Sequence, residues 1–147
     1  MSTIDDERKR KIAAQFIAAL PYARALGLEL VSLAGQVCEM RMPYREDLVG
    51  QPETGVIAGG AVSALMDTCC GTAVLIHPEP PSGTATLDLR IDYMRPATPG
   101  KDIVARAECY HMAHSVAFVR ATAHDGEGDT PVASVAATFT VERRGAR

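Results

Sequence analysis

The chain has 147 residues, 47% of them hydrophobic and 22% charged, a composition that supports one folded domain and excludes a disordered or fibrous protein. A formal net charge of −3, no tryptophan, three phenylalanines and four tyrosines, with basic residues spread along the chain, exclude a nucleic-acid surface. Residues 3–20 pattern as an amphipathic helix with Ile12, Phe16, Ala19 and Leu20 on one stripe, stopped by Pro21. The basic run from Arg8 to Lys11 follows Asp5, Asp6 and Glu7. Those acids sit well near a helix N-terminus, and the run reads as a solvated face. Two short strands, 28–33 and 36–42, turn at Ala34–Gly35, and a polar loop covers 43–54.

Residues 55–76 (GVIAGGAVSALMDTCCGTAVLI) form an apolar run whose one charged residue is Asp67. A transmembrane helix needs about 20 such residues. This run is rich in Gly and Ala, lacks basic flanks and carries a mid-run acid that costs about 3 kcal/mol in a bilayer, so a membrane span is excluded. A helix over 58–77, with small residues at Gly59, Gly60, Ala61, Ser63, Ala64 and Gly71, suits close wrapping by a sheet. One carboxylate in that setting is costly unless something pairs with it or uses it. Asp67 is therefore the first functional candidate, the alternative being a structural carboxylate bonded to a neighbouring subunit's backbone.

Beyond a loop at HPEPPSG the period becomes two. In TATLDLRIDYM, Ala85, Leu87, Leu89, Ile91 and Tyr93 share one face, and Thr84, Thr86, Asp88, Arg90 and Asp92 the other. Three more strands follow at 102–111, 116–124 and 132–141. The order predicts an α+β fold with an antiparallel sheet curled around one long central helix, plus an N-terminal helix. Cys38, Cys69, Cys70 and Cys109 show no C-x-x-C spacing, so four unpaired thiols point to a reducing cytoplasm. His77, His111 and His124 show no metal spacing. No metal or other cofactor is expected.

The strings TGVIAGGAVSALMDTCCG and ATLDLRIDYMRPATPGKDIVARA resemble hotdog-fold thioesterases of the phenylacetic-acid-pathway type. The likeness rests on Gly-Gly at a helix start, an Asp seven residues after the second Gly, and a strand ending Y-M-R-P-A. It implies an N-terminal helical extension over 1–24, one hotdog domain over 25–142 and a tail over 143–147. It also implies acyl-CoA hydrolysis, with Asp67 as the catalytic carboxylate, Gly59 and Gly60 polarising the thioester carbonyl, and Thr86 supporting the nucleophile or the water. Two positions depart from the pattern. Ala58 stands where the family usually carries His before Gly-Gly, and Gln51 and Pro52 stand where an Asn often sits upstream, Gln51 being the candidate substitute. The loss of the His raises the alternative of a non-catalytic acyl-CoA binding protein.

Asp67 lies eight residues beyond Gly59, about 12 Å along one helix, whereas reacting groups must approach within about 3.5 Å. If both act on one carbonyl, the site combines Gly59 of one subunit with Asp67 of another. That predicts a homodimer or homotetramer with active sites at subunit interfaces. For the substrate, the expectation is an apolar acyl pocket around Val62, Leu65 and Met66; Arg95, Lys101 and His114 near strand ends are candidates to meet coenzyme A phosphates, the alternative for each being a solvated surface residue.

Overall fold

The computed structural model describes residues 3–145. Helix α1 (Thr3–Ala19) is followed directly by the short α2 (Pro21–Ala25), and strands β1 (Glu29–Ala34) and β2 (Val37–Met42) form the first hairpin. A small ribbon, β3 (Val49–Gln51) with β4 (Val56–Ile57), leads into α3 (Gly59–Leu75). Then come β5 (Thr86–Tyr93), β6 (Ile103–Met112), β7 (Val116–His124) and β8 (Ala133–Thr140). Six strands make one antiparallel sheet in the order β1-β2-β6-β7-β8-β5. Its concave face packs on α3, chiefly through β6, β2 and β7.

The central helix agrees with its expected span to within two residues at each end. Its buried side carries Val62, Leu65, Met66, Cys69, Cys70 and Ala73, which meet alternate residues of the sheet such as Met40, Ala105 and Val119. The stripe of α1 differs from the one expected. Lys9, Ala13 and Ile17 are buried, Ile12 and Phe16 are half-buried, and Ala19 is exposed. The helix is rotated because α1 packs against both β1 and α3, and two partners on adjacent faces draw in a wider arc than one apolar stripe.

The β3–β4 ribbon replaces what the sequence suggested was only a polar loop. Gly50 makes it possible: a Cβ there would lie 2.8 Å from the Ala58 Cα. The Ala58 N–H donates to the Leu48 carbonyl at 2.9 Å, fixing the chain where α3 begins. Backbone proximity of this kind leaves little trace in side-chain patterning.

At the far end of β5, Arg95 closes the sheet. Its five N–H groups donate to the Thr130, Pro96 and Glu127 carbonyls and to both Asp125 oxygens, the last two at 2.8 and 2.6 Å. Asp125 also accepts from the Thr98 and Glu127 N–H groups at 2.8 and 3.0 Å, and its side chain is fully buried. The Arg95 bonds, helped by those amides and opposed by burial, hold the Asp125 carboxyl well below the usual carboxylate range. A carboxyl held low only in the folded state stabilises the fold above its unfolded pKa near 4, and that stability is lost as pH falls below it. Asp125→Asn is therefore expected to cost about 3 kcal/mol at neutral pH and to flatten the acid limb of a plot of Tm against pH. An unchanged acid limb would remove Asp125 from the stabilising groups.

Candidate active site

The face of α3 turned away from the sheet carries Gly60, Ser63, Ala64 and Asp67 at i, i+3, i+4 and i+7, one stripe of a helix. This stripe floors an open cleft of ≈ 410 Å³, walled by Tyr22 of α2 on one side and by Thr86 and Leu89 of β5 on the other. Asp67 is half-buried rather than enclosed, so its desolvation in the single protomer is partial. Small side chains keep the floor low, and the Ser63 hydroxyl is spent on the Gly60 carbonyl at 3.0 Å. Asp67 is the one charged group lining this cleft.

The Thr86 hydroxyl donates to Asp67 Oδ1 at 2.7 Å. Strict alternation assigned Thr86 to the face opposite Leu89, and the structure corrects this. β5 pairs with β8 through Thr86–Phe139 and then Asp88–Thr138, with a register shift between. Two residues of β5 thus advance for one of β8, a β-bulge that turns the strand's phase at Leu87. Leu87 is 57% exposed, while Thr86, opposite the buried Phe139, faces α3. Among the described residues this is the one hydrogen bond to the Asp67 carboxylate, and Oδ2 is left for another partner.

The N-terminus of α3 offers the second chemical element. Ala58 caps it in an extended conformation with no side-chain cap bond. The first backbone donors returning to Ala58 O belong to Ala61 and Val62, so the Gly59 and Gly60 N–H groups have no acceptor among the described residues. The Tyr93 ring packs flat enough on Gly59 that a Cβ there would lie 3.2 Å from it, and its hydroxyl donates to the Gly59 carbonyl at 2.7 Å. Around this end opens a second cleft of ≈ 440 Å³, lined mainly by apolar groups including Val56, Val62, Tyr93, Met94 and Ala97. Paired acid and exposed helix amides are the two elements that acyl transfer requires.

Asp67 and Thr86 are brought together; Gly59 and Gly60 lie at the helix start, about 12 Å from Asp67 by helical rise. Val62 lines the second cleft, but Met66 is completely buried in the core and lines neither. Gln51 is exposed on the ribbon, where its Oε1 accepts from the Thr54 hydroxyl at 2.9 Å. His114 is exposed in the β6–β7 turn and lines neither cleft. Arg95 borders the second cleft with every donor already engaged, and Lys101 pairs with Glu127 at 3.3 Å. Tyr22 and Tyr93 were not singled out by pattern; one lies in a five-residue helix and the other reads as an ordinary strand residue.

The sequence profile described as the thioesterase superfamily matches residues 54–132, more than half of the chain. The chain belongs to the thioesterase superfamily. The medium/long-chain acyl-CoA thioesterase YigI of Escherichia coli K12 is 25% identical over 149 residues, covering 92% of this superfamily member and 95% of YigI. A solved Pseudomonas aeruginosa structure is 39% identical with a TM-score of 0.78, covering 87% of this chain and 95% of that one. The E. coli PaaI protein from the phenylacetic acid degradation operon superposes with a TM-score of 0.81 at 17% identity, covering 92% and 94%, a likeness of fold. The thioesterase-superfamily chain thus has the hotdog architecture expected of it.

Among the described residues, no His, Cys, Asp and Glu group could hold a metal ion, and no helix is long and apolar enough to cross a membrane. All four cysteines are free and buried. Hydrogen bonding to Cys38 and burial push the Cys69 thiol well up, burial and the Asp67 charge push Cys70 up, and burial pushes Cys109 up to about 11. Cys69, Cys70 and Cys109 are therefore held as thiols near neutral pH, and burial shields all four from reagents. A disulfide reagent at pH 8 is expected to titrate none of the four thiols rapidly in the native protein and all four after denaturation. One fast native thiol would overturn this.

Proposed function

We propose that the chain is an acyl-CoA thioesterase that hydrolyses a small or medium acyl or aryl thioester, as a homodimer or homotetramer with its sites between subunits. The observation that carries the reading is the Thr86–Asp67 pair, set in an open cleft of a superfamily member. The name of the E. coli relative supports acyl-CoA as the substrate class, and the largely apolar second cleft suits an acyl group. Four free, buried thiols support a reducing, cytoplasmic setting.

In the hydrolytic step, Thr86 orients Asp67 while Asp67 takes a proton from water, whose oxygen adds to the thioester carbonyl carbon. The negative charge passes to the carbonyl oxygen, which the Gly59 N–H, with Gly60 beside it, stabilises at the positive end of α3. Collapse breaks the carbon–sulfur bond, and the departing thiolate takes up the proton. In the alternative route the same carboxylate attacks the carbon directly, the carbon–sulfur bond breaks to expel the thiolate, and water splits the mixed anhydride left on Asp67 into free acid and carboxylate. Incorporation of solvent ¹⁸O into Asp67 during a single turnover separates the two routes. Since Gly59 lies about 12 Å from Asp67 on one helix, the amides and the acid at one carbonyl come from different subunits.

A second reading, non-catalytic acyl-CoA binding, is favoured by Ala58 in place of the usual His, which leaves no side chain to cap or extend the helix start. Thiol release from short, medium and long aliphatic, phenylacetyl and benzoyl coenzyme A separates the readings. Turnover that falls about 10²-fold or more in Asp67→Asn is the expected result. Intact acyl-CoA binding with no turnover in the wild type would replace the hydrolase with the binder.

A further inference from the structure

Arg95 spends its donors on Asp125 and on carbonyls, and Lys101 holds an exposed pair with Glu127, whereas three arginines elsewhere have no such partner. α1 runs beside α3 in the opposite direction. Tyr22, just beyond it, borders the Asp67 cleft, Phe16 lies 4.0 Å from where a Gly71 Cβ would stand, and Ile12 meets Leu75. At this last crossing a separate cleft of ≈ 530 Å³ opens, lined by Arg8, Ile12, Leu75, Pro80, Pro81, Ser82, Arg143 and Arg144. Leu75 shares the open helical face of Asp67 and lies about 12 Å beyond it along the axis. The opposite wall is continuous too, since Ser82 here and Thr86 at Asp67 belong to one extended segment leading into β5.

The three arginines come from opposite ends of the chain. Among the described residues none forms an ion pair or donates a side-chain hydrogen bond, although eight other arginines and lysines are ion-paired. No acid lines the cleft. The acids nearest in sequence, Asp5, Asp6 and Glu7 before Arg8 and Glu142 before Arg143, lie outside this lining, and among the described residues none is paired with these arginines. Next to Arg8 in sequence, the buried Lys9 is ion-paired with Asp5 at 3.3 Å. Arg8, Arg143 and Arg144, with no acid in the lining of their cleft, repel one another and make it locally positive on a chain of net charge −3.

We infer that the Arg8–Arg143–Arg144 cleft is a phosphate subsite that receives the nucleotide end of coenzyme A, while the thioester lies at Asp67. Guanidinium groups suit this ligand because their forks match phosphate oxygens in pairs. Ile12, Leu75, Pro80 and Pro81 supply a rigid apolar wall for the adenine face. The separation of the two clefts along α3 is the span that the flexible pantetheine arm must bridge. The identity of the ligand rests on the acyl-CoA reading above; the anionic character of the site does not.

The test is direct binding of coenzyme A, pantetheine and inorganic phosphate to the full-length protein by calorimetry, which needs no turnover. Arg143→Glu/Arg144→Glu and, separately, Arg8→Glu are expected to weaken coenzyme A binding about tenfold or more, as the loss of one charge-assisted hydrogen bond would. Arg106→Glu, on the outer face of the sheet, serves as the charge control and is expected to match the wild type. Coenzyme A affinity unchanged in the cleft variants overturns the proposal. So does phosphate binding as tight as that of coenzyme A, or an equal loss of pantetheine binding. A wild type that shows the expected pattern but hydrolyses no acyl-CoA would sink the hydrolase reading and leave the subsite standing.

Discussion

A helix enclosed by a curved sheet can bury only one of its faces, and α3 spends that face on Leu65, Met66, Cys69 and Cys70, all fully buried. Chemistry is thereby confined to the remaining stripe, from Gly60 to Asp67 and on to Leu75. The small residues at 60, 63 and 64 serve this division twice. They keep the open face low enough for a ligand or a second helix to lie on it, and they leave Asp67 as the only charged group there. A bulky side chain at any of the three would narrow the approach to the carboxylate.

The sheet contributes by irregularity as much as by order. β5 is an edge strand, bonded to β8 on one side alone, and edges tolerate bulges that central strands seldom carry. The bulge at Leu87 gives Thr86 to the helix without disturbing the pairing of Leu89, Ile91 and Tyr93 with β8. The acid and its hydroxyl partner thus come from two elements held independently by the core, which is what preorganisation of a polar pair requires. Farther along the same strand, Arg95 and Asp125 fix the end of β5 against the β7–β8 turn. Charge there is structural, whereas at Asp67 and in the arginine-lined cleft it is left uncommitted.

The contrast explains what the sequence made legible. α3 and the strands β6, β7 and β8 were readable because each repeats one period over eight or more residues, and side-chain burial enforces that period. Asp67 was readable because a single charge in an apolar run is conspicuous. The inward turn of Thr86 was not, since alternation carries no sign of an extra residue in a bulge. Nor was the fate of Arg95, whose partner lies 30 residues away and is set by tertiary packing. The β3–β4 ribbon escaped because it rests on Gly50 meeting Ala58 backbone to backbone.

The central claim is that helix amides and carboxylate meet across a subunit boundary, and mixing two inactive proteins tests it most directly. Asp67→Asn removes the carboxylate. Gly59→Pro removes one N–H at a first helical position that suits proline, after an Ala58 (ψ 134°) that tolerates it; the Tyr93 ring, 3.2 Å from the added Cβ, must give way slightly. Each variant alone is expected to be inactive. After subunits are exchanged, a mixed oligomer contains one site with both native elements, so thioester hydrolysis should reappear. Mixed oligomers confirmed by mass spectrometry that stay inactive, or a wild-type monomer that is fully active, would contradict the account.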